Sequence, residues 1–245
     1  MEAVIGAAGV LAVAGGFAAY AVRGRSSSFF APSLYRGDRS RPALALTFDD
    51  GPSESTPALL DLLARHEVHA SFFMCGQNVR RLPAIARQVA EAGHEIGNHT
   101  DSHPRLDFKP ADFIEREIDL AQQTIQSHTG MMPRFFRAPY GIRWFGLRRA
   151  QERLGVMGVM WTVIGRDWIL PAERITNRLI RGASNGGVLC LHDGRALRKA
   201  PEVSAMLGAV DQAIPLLKSR GFQFLTLSEM FASASFFGGT AEARR

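Results

Sequence analysis

The pattern of apolar and polar positions along the chain alternates between strands and helices. Short apolar runs between turn signals are typical of buried strands, whereas apolar residues three and four apart are typical of helices. The predicted strands are Ala43–Phe48, Ala70–Met74, His94–Asn98, Phe135–Arg137, Val156–Trp161, Gly187–Leu191 and Gln223–Thr226. The predicted helices are Thr56–His66, Pro83–Ala92, Lys109–Ser127, Phe145–Leu154, Ala172–Ala183 and Val203–Arg220. This alternation, without a dinucleotide-type glycine fingerprint, predicts an α/β fold with a complete or incomplete seven-stranded (β/α) barrel rather than an open doubly wound sheet.

The start of the chain is a separate hydrophobic segment. Ala3–Val22 carries no charge and is long enough to cross a bilayer as a helix, although its Ala and Gly content makes insertion marginal. A cleaved signal peptide is the alternative, with a cleavage-like Ala19-Tyr20-Ala21, but Glu2 and the lack of a basic start favour an uncleaved anchor. We therefore expect an anchor or signal segment at 1–25, a linker at 26–39, the main domain at 40–230 and a flexible tail at 231–245.

The composition limits the partners of the chain. Its net charge is +6, which favours anionic partners such as membrane lipid or wall polymer. The arginines are scattered and form no nucleic-acid motif, so we do not expect nucleic-acid binding. The two cysteines, Cys75 and Cys190, each lie in an apolar run and fit no metal motif. Buried free thiols are the default for such sites, and a disulfide remains open.

Two adjacent carboxylates end the first predicted strand. Asp49 and Asp50 follow the apolar run Ala43–Phe48, and Gly51-Pro52 then turns the chain. In α/β folds, ligands bind at the carboxyl ends of strands. Neighbouring carboxylates there repel each other and need a cation or a shared proton. Because a strand alternates its side chains, the two should point in different directions. The alternative is that one caps the next helix and the other is solvated.

A pair of histidines follows another predicted strand. His99 and His103 are four residues apart and lie on one face if the segment is helical or turn-like, so both can reach one metal. With a carboxylate, the pair suits Zn²⁺ or a similar ion and leaves open positions for water and substrate. Asp50 can supply that carboxylate, which leaves Asp49 free as a base. Ordinary loop histidines are the alternative.

Polar residues also end three further predicted strands. Arg137 precedes a Pro turn and can hold a carboxylate in its ionised form, or can form a structural ion pair there. The dipeptide Asp167-Trp168 follows the apolar run Val159–Val163. His192 directly follows the predicted strand Gly187–Leu191. Five groups at one end of five strands are what an active site at the C-terminal face of a barrel requires.

These stretches resemble a known family. In order, they are Thr47-Phe48-Asp49-Asp50-Gly51-Pro52, His99-Thr100-Asp101-Ser102-His103, Arg137-Ala138-Pro139-Tyr140, Asp167-Trp168 and Leu189-Cys190-Leu191-His192. They resemble the five motifs of the polysaccharide deacetylases, which carry a NodB-homology domain and include chitin and peptidoglycan N-acetylglucosamine deacetylases. The resemblance covers about residues 40–228. It implies a deformed (β/α) barrel and one divalent metal ion, usually zinc and sometimes cobalt, nickel or manganese.

The resemblance also implies roles for individual residues. Asp50, His99 and His103 would be the metal ligands. Asp49 would be the catalytic base oriented by Arg137, and His192 the general acid tuned by Asp167. Substrate would contact Pro139, Tyr140, Trp168 and Leu191, with the Tyr140 backbone N–H on the oxyanion and Trp168 and Leu191 lining the acetyl pocket. One position departs from the family pattern, since Ile164 stands where many members have an Asp. That departure bears on substrate class rather than on the core chemistry.

The implied activity is metal-dependent removal of N-acetyl groups from N-acetylglucosamine-type sugars of a peptidoglycan or chitin-like polysaccharide. Because such substrates lie outside the cytoplasm, we expect a membrane-anchored domain outside the cytoplasm, or a secreted one. Arg23 and Arg25 alone would instead keep the domain inside. Two alternatives are a deformylase or deacetylase of a lipid-linked sugar, and a catalytically inert carbohydrate-binding module.

Overall fold

The computed structural model describes residues 15–232 of the 245. Its strands are β1 (Ser33–Leu34), β2 (Ala43–Gly51), β3 (Ser71–Met74), β4 (Glu95–Asn98), β5 (Phe135–Phe136), β6 (Met157–Val159), β7 (Val163–Ile164), β8 (Gly187–His192) and β9 (Gln223–Phe224). They pair in parallel in the order β1-β6-β5-β4-β3-β2-β8-β7, and β9 pairs with the start of β2. Within the described residues, the curled sheet forms part of a barrel whose edges are β1 and β7.

The α/β class and the parallel sheet are confirmed, and a strand forms within each of the seven predicted ranges. The predicted number of strands is wrong, because β1 and β7 also join the sheet. Each of these two strands has only two residues. A strand so short leaves no alternating pattern in the sequence, so backbone pairing alone reveals it.

The helices lie between the strands. They are α1 (residues 15–23), α2 (Thr56–Arg65), α3 (Gly76–Arg81), α4 (Pro83–Glu91), α5 (Ala111–Thr129), α6 (Leu147–Leu154), α7 (Ala172–Gly182), α8 (Ser204–Ser219) and α9 (Leu227–Met230). All six helices predicted after the first strand are present as α2 and α4–α8. The prediction missed α9, although Thr226 and Glu229 form a capping box at its start, a pattern that the sequence displays.

The segment predicted as a linker is bound to the domain in the structure. Its residues 33–34 form β1, and Ala31 is fully buried. Arg143, only 2% exposed, donates to the carbonyls of Gly24 and Ser27. The Arg143 backbone N–H donates to the carbonyl of Val22 over 3.1 Å. Part of the segment 26–39 therefore packs on the domain, and the buried guanidinium of Arg143 needs the carbonyls of Gly24 and Ser27. The role of residues 26–39 as a linker stays a prediction.

The predicted apolar span Ala3–Val22 lies mostly outside the described residues, as does the tail from residue 233 onward. The part of the span that is described, residues 15–22, is helical. Across residues 15–232, no helix combines the length and the hydropathy needed to cross a bilayer.

The central strand β2 positions the site. Its Leu44, Leu46 and Phe48 pack into the core cluster shared with the surrounding helices, whereas Ala43 and Ala45 join a second cluster. Because β2 is buried along its whole length, its carboxyl end is held within the sheet rather than at a free edge. The functional residues predicted above gather at this end of the sheet.

Candidate active site

Asp49 and Asp50 diverge at the end of β2. Asp50 has a backbone φ of 73°, in the left-handed region, and the pairing of β2 with β3 shifts between Asp49 and Gly51. Asp49 stays in register with His192 on β8. The two carboxylates were expected to diverge by simple strand alternation, but a bulge with a left-handed residue separates them. Such a backbone position costs free energy and persists only where surrounding contacts hold it.

Asp50, His99 and His103 come together as predicted from the sequence. Oδ1 of Asp50 lies 3.3 Å from Nε2 of His99 and 3.0 Å from Nε2 of His103. All three side chains are buried. Two ligand atoms of one tetrahedral zinc ion, each about 2.0–2.2 Å from it, are roughly 3.4 Å apart. The separations therefore suit one ion held by all three residues.

The hydrogen bonds of these groups also fit a divalent metal. Nδ1 of His99 lies 2.7 Å from the carbonyl oxygen of Arg137, which can only accept, so a neutral His99 presents a lone pair at Nε2. That lone pair faces Oδ1 of Asp50, which is buried and has no hydrogen-bond partner among the described residues. Burial opposes the charge of Asp50, but the adjacent imidazoles of His103 and His99 outweigh burial and hold the pKa of this carboxyl well below its usual value. A cation between these groups satisfies all of them.

The loop 99–103 that carries both histidines is an irregular turn, fixed from two helices. The carboxylate of Glu117 on α5 accepts from the backbone N–H groups of Asp101 and Ser102, at 3.1 and 2.8 Å. Asp101 in turn forms a two-pronged ion pair with Arg80 on α3, at 2.7 and 2.8 Å. These contacts fix the loop from behind and leave the imidazoles free for a ligand.

Asp49 is held by a buried guanidinium. Arg137 is fully buried, and its Nη1 donates to Oδ1 of Asp49 over 2.6 Å and to Oγ1 of Thr47 over 2.8 Å. Its Nε donates to the carbonyl of Val159, and the guanidinium lies over the ring of Phe73 at 4.1 Å. With so many contacts, Arg137 fixes the direction in which Asp49 points.

Both cysteines are buried free thiols, so the default interpretation is confirmed and the disulfide is not formed. Sγ of Cys190 lies 3.5 Å from Oδ2 of Asp49. Burial, followed by the charge of Asp49, raises the pKa of the Cys190 thiol well above its usual value. Cys190 is therefore a neutral neighbour of Asp49, not a competing thiolate.

His192 and Asp167 form a second pair on the other side of the site. Nδ1 of His192 lies 2.9 Å from Oδ1 of Asp167, and the His192 backbone N–H donates to Oδ2 over 3.1 Å. Burial opposes a charge on this imidazole, but the hydrogen bond and the charge of Asp167 outweigh burial and raise the pKa of His192 to about 9. His192 is therefore protonated at neutral pH and can act as a general acid.

One cavity of about 500 Å³ opens onto both carboxylates of β2 and onto the three histidines. Its lining includes Asp49, Asp50, His99, His103, His192, Tyr140, Trp161, Ile164, Trp168 and Arg23. The Tyr140 ring packs against that of His103 with centroids 4.8 Å apart, and Trp168 meets His192 edge-on at 5.2 Å. Ile164 lies in the wall of the cavity, where a carboxylate would have added charge.

Two of the residues expected to contact substrate do not line this cavity. Leu191 is fully buried in the main core, because β8 alternates and sends its side chain to the face opposite that of His192. Pro139 is buried in a 3₁₀ turn beneath Tyr140. The structure thus brings Tyr140 and Trp168 to the cavity, and leaves Leu191 and Pro139 as supports behind it.

Comparison with known proteins identifies relatives of this chain by sequence. A sequence profile described as polysaccharide deacetylase matches residues 36–159. A peptidoglycan-N-acetylglucosamine deacetylase of Bacillus cereus is 36% identical over 203 residues, which are 82% of this chain and 72% of the relative. The chain belongs to the polysaccharide deacetylase family.

Other members of the polysaccharide deacetylase family give the same result. A chitooligosaccharide deacetylase of Azorhizobium caulinodans is 34% identical over 197 residues, covering 75% of this chain and 92% of the relative. A crystal structure of a peptidoglycan N-acetylglucosamine deacetylase, in complex with a naphthalenyl N-oxidanyl-benzamide, matches this fold with a TM-score of 0.76 and 35% identity. That match covers 82% of this chain and 93% of the solved one. The family predicted from five motifs is therefore confirmed.

Arg195 is one residue of this deacetylase site that the motifs did not reveal. Its Nη1 lies 3.3 Å from Oδ2 of Asp167, and its Nη2 donates to the Asp167 carbonyl over 2.9 Å. The guanidinium therefore holds Asp167 in place while Asp167 accepts from His192. No sequence signal marks Arg195, because its contact with Asp167 spans 28 positions along the chain.

Asp193 is the second residue that sequence reasoning missed. It is fully buried, accepts from Oγ1 of Thr56 over 2.5 Å through Oδ2, and leaves Oδ1 without a partner among the described residues. Its carboxylate packs on Gly51, where a Cβ would lie only 2.5 Å from it. Burial, with the charge of Asp50, raises the pKa of Asp193 to about 7. A usable signal was present, since Asp193 directly follows a histidine at an apolar strand end.

Proposed function

We propose that this protein is a metal-dependent hydrolase that removes N-acetyl groups from N-acetylglucosamine-type sugars of a polysaccharide and releases acetate. One observation carries the proposal: the cluster Asp50/His99/His103, the pair Asp49–Arg137 and the pair His192–Asp167 converge on one cavity. These are a site for a cation, an oriented base and a protonated acid. Metal-assisted hydrolysis of an amide uses all three.

The residues would divide the reaction between them. When bound at Asp50, His99 and His103, a divalent cation acidifies water and polarises a carbonyl oxygen. Asp49, oriented by Arg137, accepts the proton of the attacking water. The Tyr140 backbone N–H donates to the acetyl oxygen as negative charge develops there.

His192 completes the reaction on the other side of the acetyl group. Held protonated by Asp167, it donates to the amine nitrogen as the C–N bond breaks. Water adds to the acetyl carbon and the proton reaches the nitrogen, so the products are acetate and a free amino sugar.

We take zinc as the metal of this proposal. Two imidazoles and one carboxylate form a set that zinc accepts while keeping a position for water. Cobalt, nickel and manganese accept similar ligands, so the metal requires measurement. Chelation should abolish acetate release, and each metal added back separately should rank the four. Undiminished turnover after chelation would refute the site.

The proposal includes two candidate polymers as substrate. The relatives above are named for peptidoglycan and for chitooligosaccharide, so both are candidate substrates. Acetate release from chitooligosaccharides, peptidoglycan and acetylxylan distinguishes them. His192→Ala should lose activity on every substrate, whereas His69→Ala, which replaces an exposed histidine outside the site, should keep it.

A lipid-linked sugar is the second candidate substrate. Arg23 lines the cavity and directly follows the uncharged segment Ala3–Val22, so the cavity lies close to a segment suited to a membrane. Formate release in place of acetate release would identify a deformylase. Turnover of any of these substrates would exclude an inert carbohydrate-binding module.

The location that suits this function is the outer side of the inner membrane. In this proposal, Ala3–Val22 stays attached as an anchor and presents the domain to cell-wall glycan. Fractionation and N-terminal sequencing test it. A protein that is soluble without detergent and begins near Val22 would instead support a cleaved signal and secretion.

A further inference from the structure

Six aromatic side chains form one continuous surface, which we call the aromatic patch. They are Phe17, Phe29, Phe30, Phe108, Trp144 and Phe145. Each ring contacts at least one other, with centroids 4.7–5.5 Å apart. They come from three parts of the chain: α1 and the segment after it, the loop between β4 and α5, and the connection between β5 and α6.

The patch faces solvent. Phe17, Phe29 and Phe145 are 55–62% exposed, and Phe108 is 81% exposed. Scattered exposed apolar residues are ordinary, but a contiguous group of this size marks an interaction surface. Phe108 also has a backbone φ of 60°, which is costly for a bulky residue. Neither core packing nor backbone preference explains why this ring is displayed.

The patch borders the mouth of the cavity. Each of the three chain segments that supply its rings also supplies a residue to the cavity lining: Arg23, His103 and Tyr140. The segment around Arg23 is held rigidly, because the buried Arg143 binds its carbonyls. Whatever covers the patch therefore lies beside the opening through which substrate enters.

The chemistry of the patch favours lipid over sugar. Five of its six rings are phenylalanines, which offer no hydrogen-bonding group. A sugar site needs polar groups placed for the hydroxyls beside its apolar surface. Several contacts between these rings are edge-on, at 80–87°, so the rings do not form one flat platform for a pyranose.

The basic residues near the patch, and its overlap with the segment Ala3–Val22, also favour lipid. Phe17 belongs to the uncharged segment Ala3–Val22, so the patch begins inside the predicted anchor. Basic residues flank the rings along the chain, at Arg25, Lys109 and Arg148, whereas Arg105 is paired with Asp107. Aromatic rings beside basic residues are typical of the boundary between lipid chains and anionic headgroups.

We infer that the aromatic patch inserts into the interface of an anionic phospholipid membrane and holds the cavity mouth at the lipid surface. This docking is distinct from tethering, because it requires the rings of the aromatic patch themselves to enter the lipid interface. It goes beyond the proposed function and does not depend on which sugar is deacetylated. Its consequence is that the enzyme would act on glycan lying close to the membrane.

Fluorescence quenching by brominated lipids tests the docking directly. The chain has three tryptophans, of which Trp144 belongs to the patch and Trp168 lies beside His192. The full chain would be reconstituted in vesicles of phosphatidylcholine and phosphatidylglycerol, with or without bromine on the acyl chains. Trp168→Phe, which keeps Trp144, should lose emission in the brominated vesicles. Trp144→Phe should lose much less. Equal quenching of the two variants, or none, would overturn the inference.

A second set of variants separates lipid from glycan. Replacing both Phe108 and Phe145 by Ser should reduce the quenching of Trp144 and leave acetate release in detergent unchanged. The matched control is Leu216→Ser, which removes an exposed apolar side chain on α8 outside the patch. If the double variant instead raises KM for chitooligosaccharide in detergent, the patch binds glycan and the inference fails. A protein that deacetylates nothing but still shows the quenching would refute the proposed function alone.

Discussion

The guanidinium of Arg137 is fully buried and donates to Asp49 over a distance of 2.6 Å. A charge this deep is stable only because its partners surround it, and Asp49 is the carboxylate among those partners. The pair therefore links the stability of the barrel to the direction of Asp49, the proposed base. Substitution of Arg137 or of Asp49 should change both the free energy of unfolding and kcat, but in different proportions.

Asp49→Asn and Asp50→Asn should give different defects. Asp49→Asn removes the proton acceptor and keeps the three ligands, so activity should fall on the order of 10²–10⁴-fold with metal still bound. Asp50→Asn removes a charged ligand, so metal affinity should fall first and excess metal should restore part of the rate. Metal content and kcat measured on the same samples distinguish the two. Loss of metal from Asp49→Asn, with retention by Asp50→Asn, would reverse the assignment.

Arg137→Met should destabilise the protein as well as slow it. Removing one partner of a buried ion pair leaves the other charge without compensation and costs about 3–5 kcal/mol. Arg137→Lys keeps the charge but loses the planar fork that reaches Asp49 and Thr47 together, so kcat should fall with a smaller loss of stability. Denaturant unfolding and kcat test both variants. A fully active and stable Arg137→Met would show that Asp49 orients itself.

Asp167→Asn should move the alkaline limb of the pH–rate profile to lower pH. The folded pKa of His192 is raised to about 9, so the acid is protonated below that pH and is lost as pH rises through it. Asn keeps a hydrogen-bond acceptor but removes the charge that stabilises the imidazolium, so the pKa should fall. The limb is measured in kcat at saturating metal. An unmoved limb would mean that Asp167 has a structural role only.

Asp193 should make the metal-free protein less stable as pH rises. Its pKa is raised to about 7 in the folded state, whereas an unfolded Asp titrates near 4. Between these values the folded state holds a proton that the unfolded state has released, so the free energy of unfolding falls through this window by about 1.4 kcal/mol per pH unit at most. Asp193→Asn should flatten that dependence.

Denaturant unfolding at several pH values between 4 and 8 measures the slope for Asp193→Asn and for wild type. Asp61→Asn, on the exposed side of α2, is the matched control and should keep the wild-type slope. Identical slopes in all three proteins would show that Asp193 does not titrate in this window.

The sequence predicted the site best where the residues that form a motif are close together along the chain. The strand β2 was visible because an apolar run ends in two carboxylates, and His99 and His103 were visible because four positions separate them. The sequence could not show that Asp50 adopts a positive φ, since that depends on a shifted pairing with β3. Arg195 was missed for a related reason, as its partner Asp167 is far along the chain. Asp193 was missed although it directly follows His192 at a strand end.

The structure places Leu191 in the core for a reason that motif order does not show. Motif order assigned it to the acetyl pocket, but strand alternation puts neighbouring side chains on opposite faces, and His192 faces the cavity. Residues 26–39 were predicted as a linker from their composition, and the structure adds that residues 33–34 form β1 and that Ser27 binds Arg143. Composition does not reveal that Arg143, more than 100 positions away, binds the carbonyl of Ser27.

Arg143 sets where the folding unit starts. A chain shortened to begin at residue 36, where the family match starts, would lack the carbonyls of Val22, Gly24 and Ser27 and the whole of β1. The guanidinium would then stay buried without acceptors, or would pull the helix start at Leu147 out of place to reach water. Expression boundaries, domain transplants and alignments trimmed to the family motif should therefore retain at least residues 21–35. The buried Arg143 thus makes this fold depend on residues that precede its family signature.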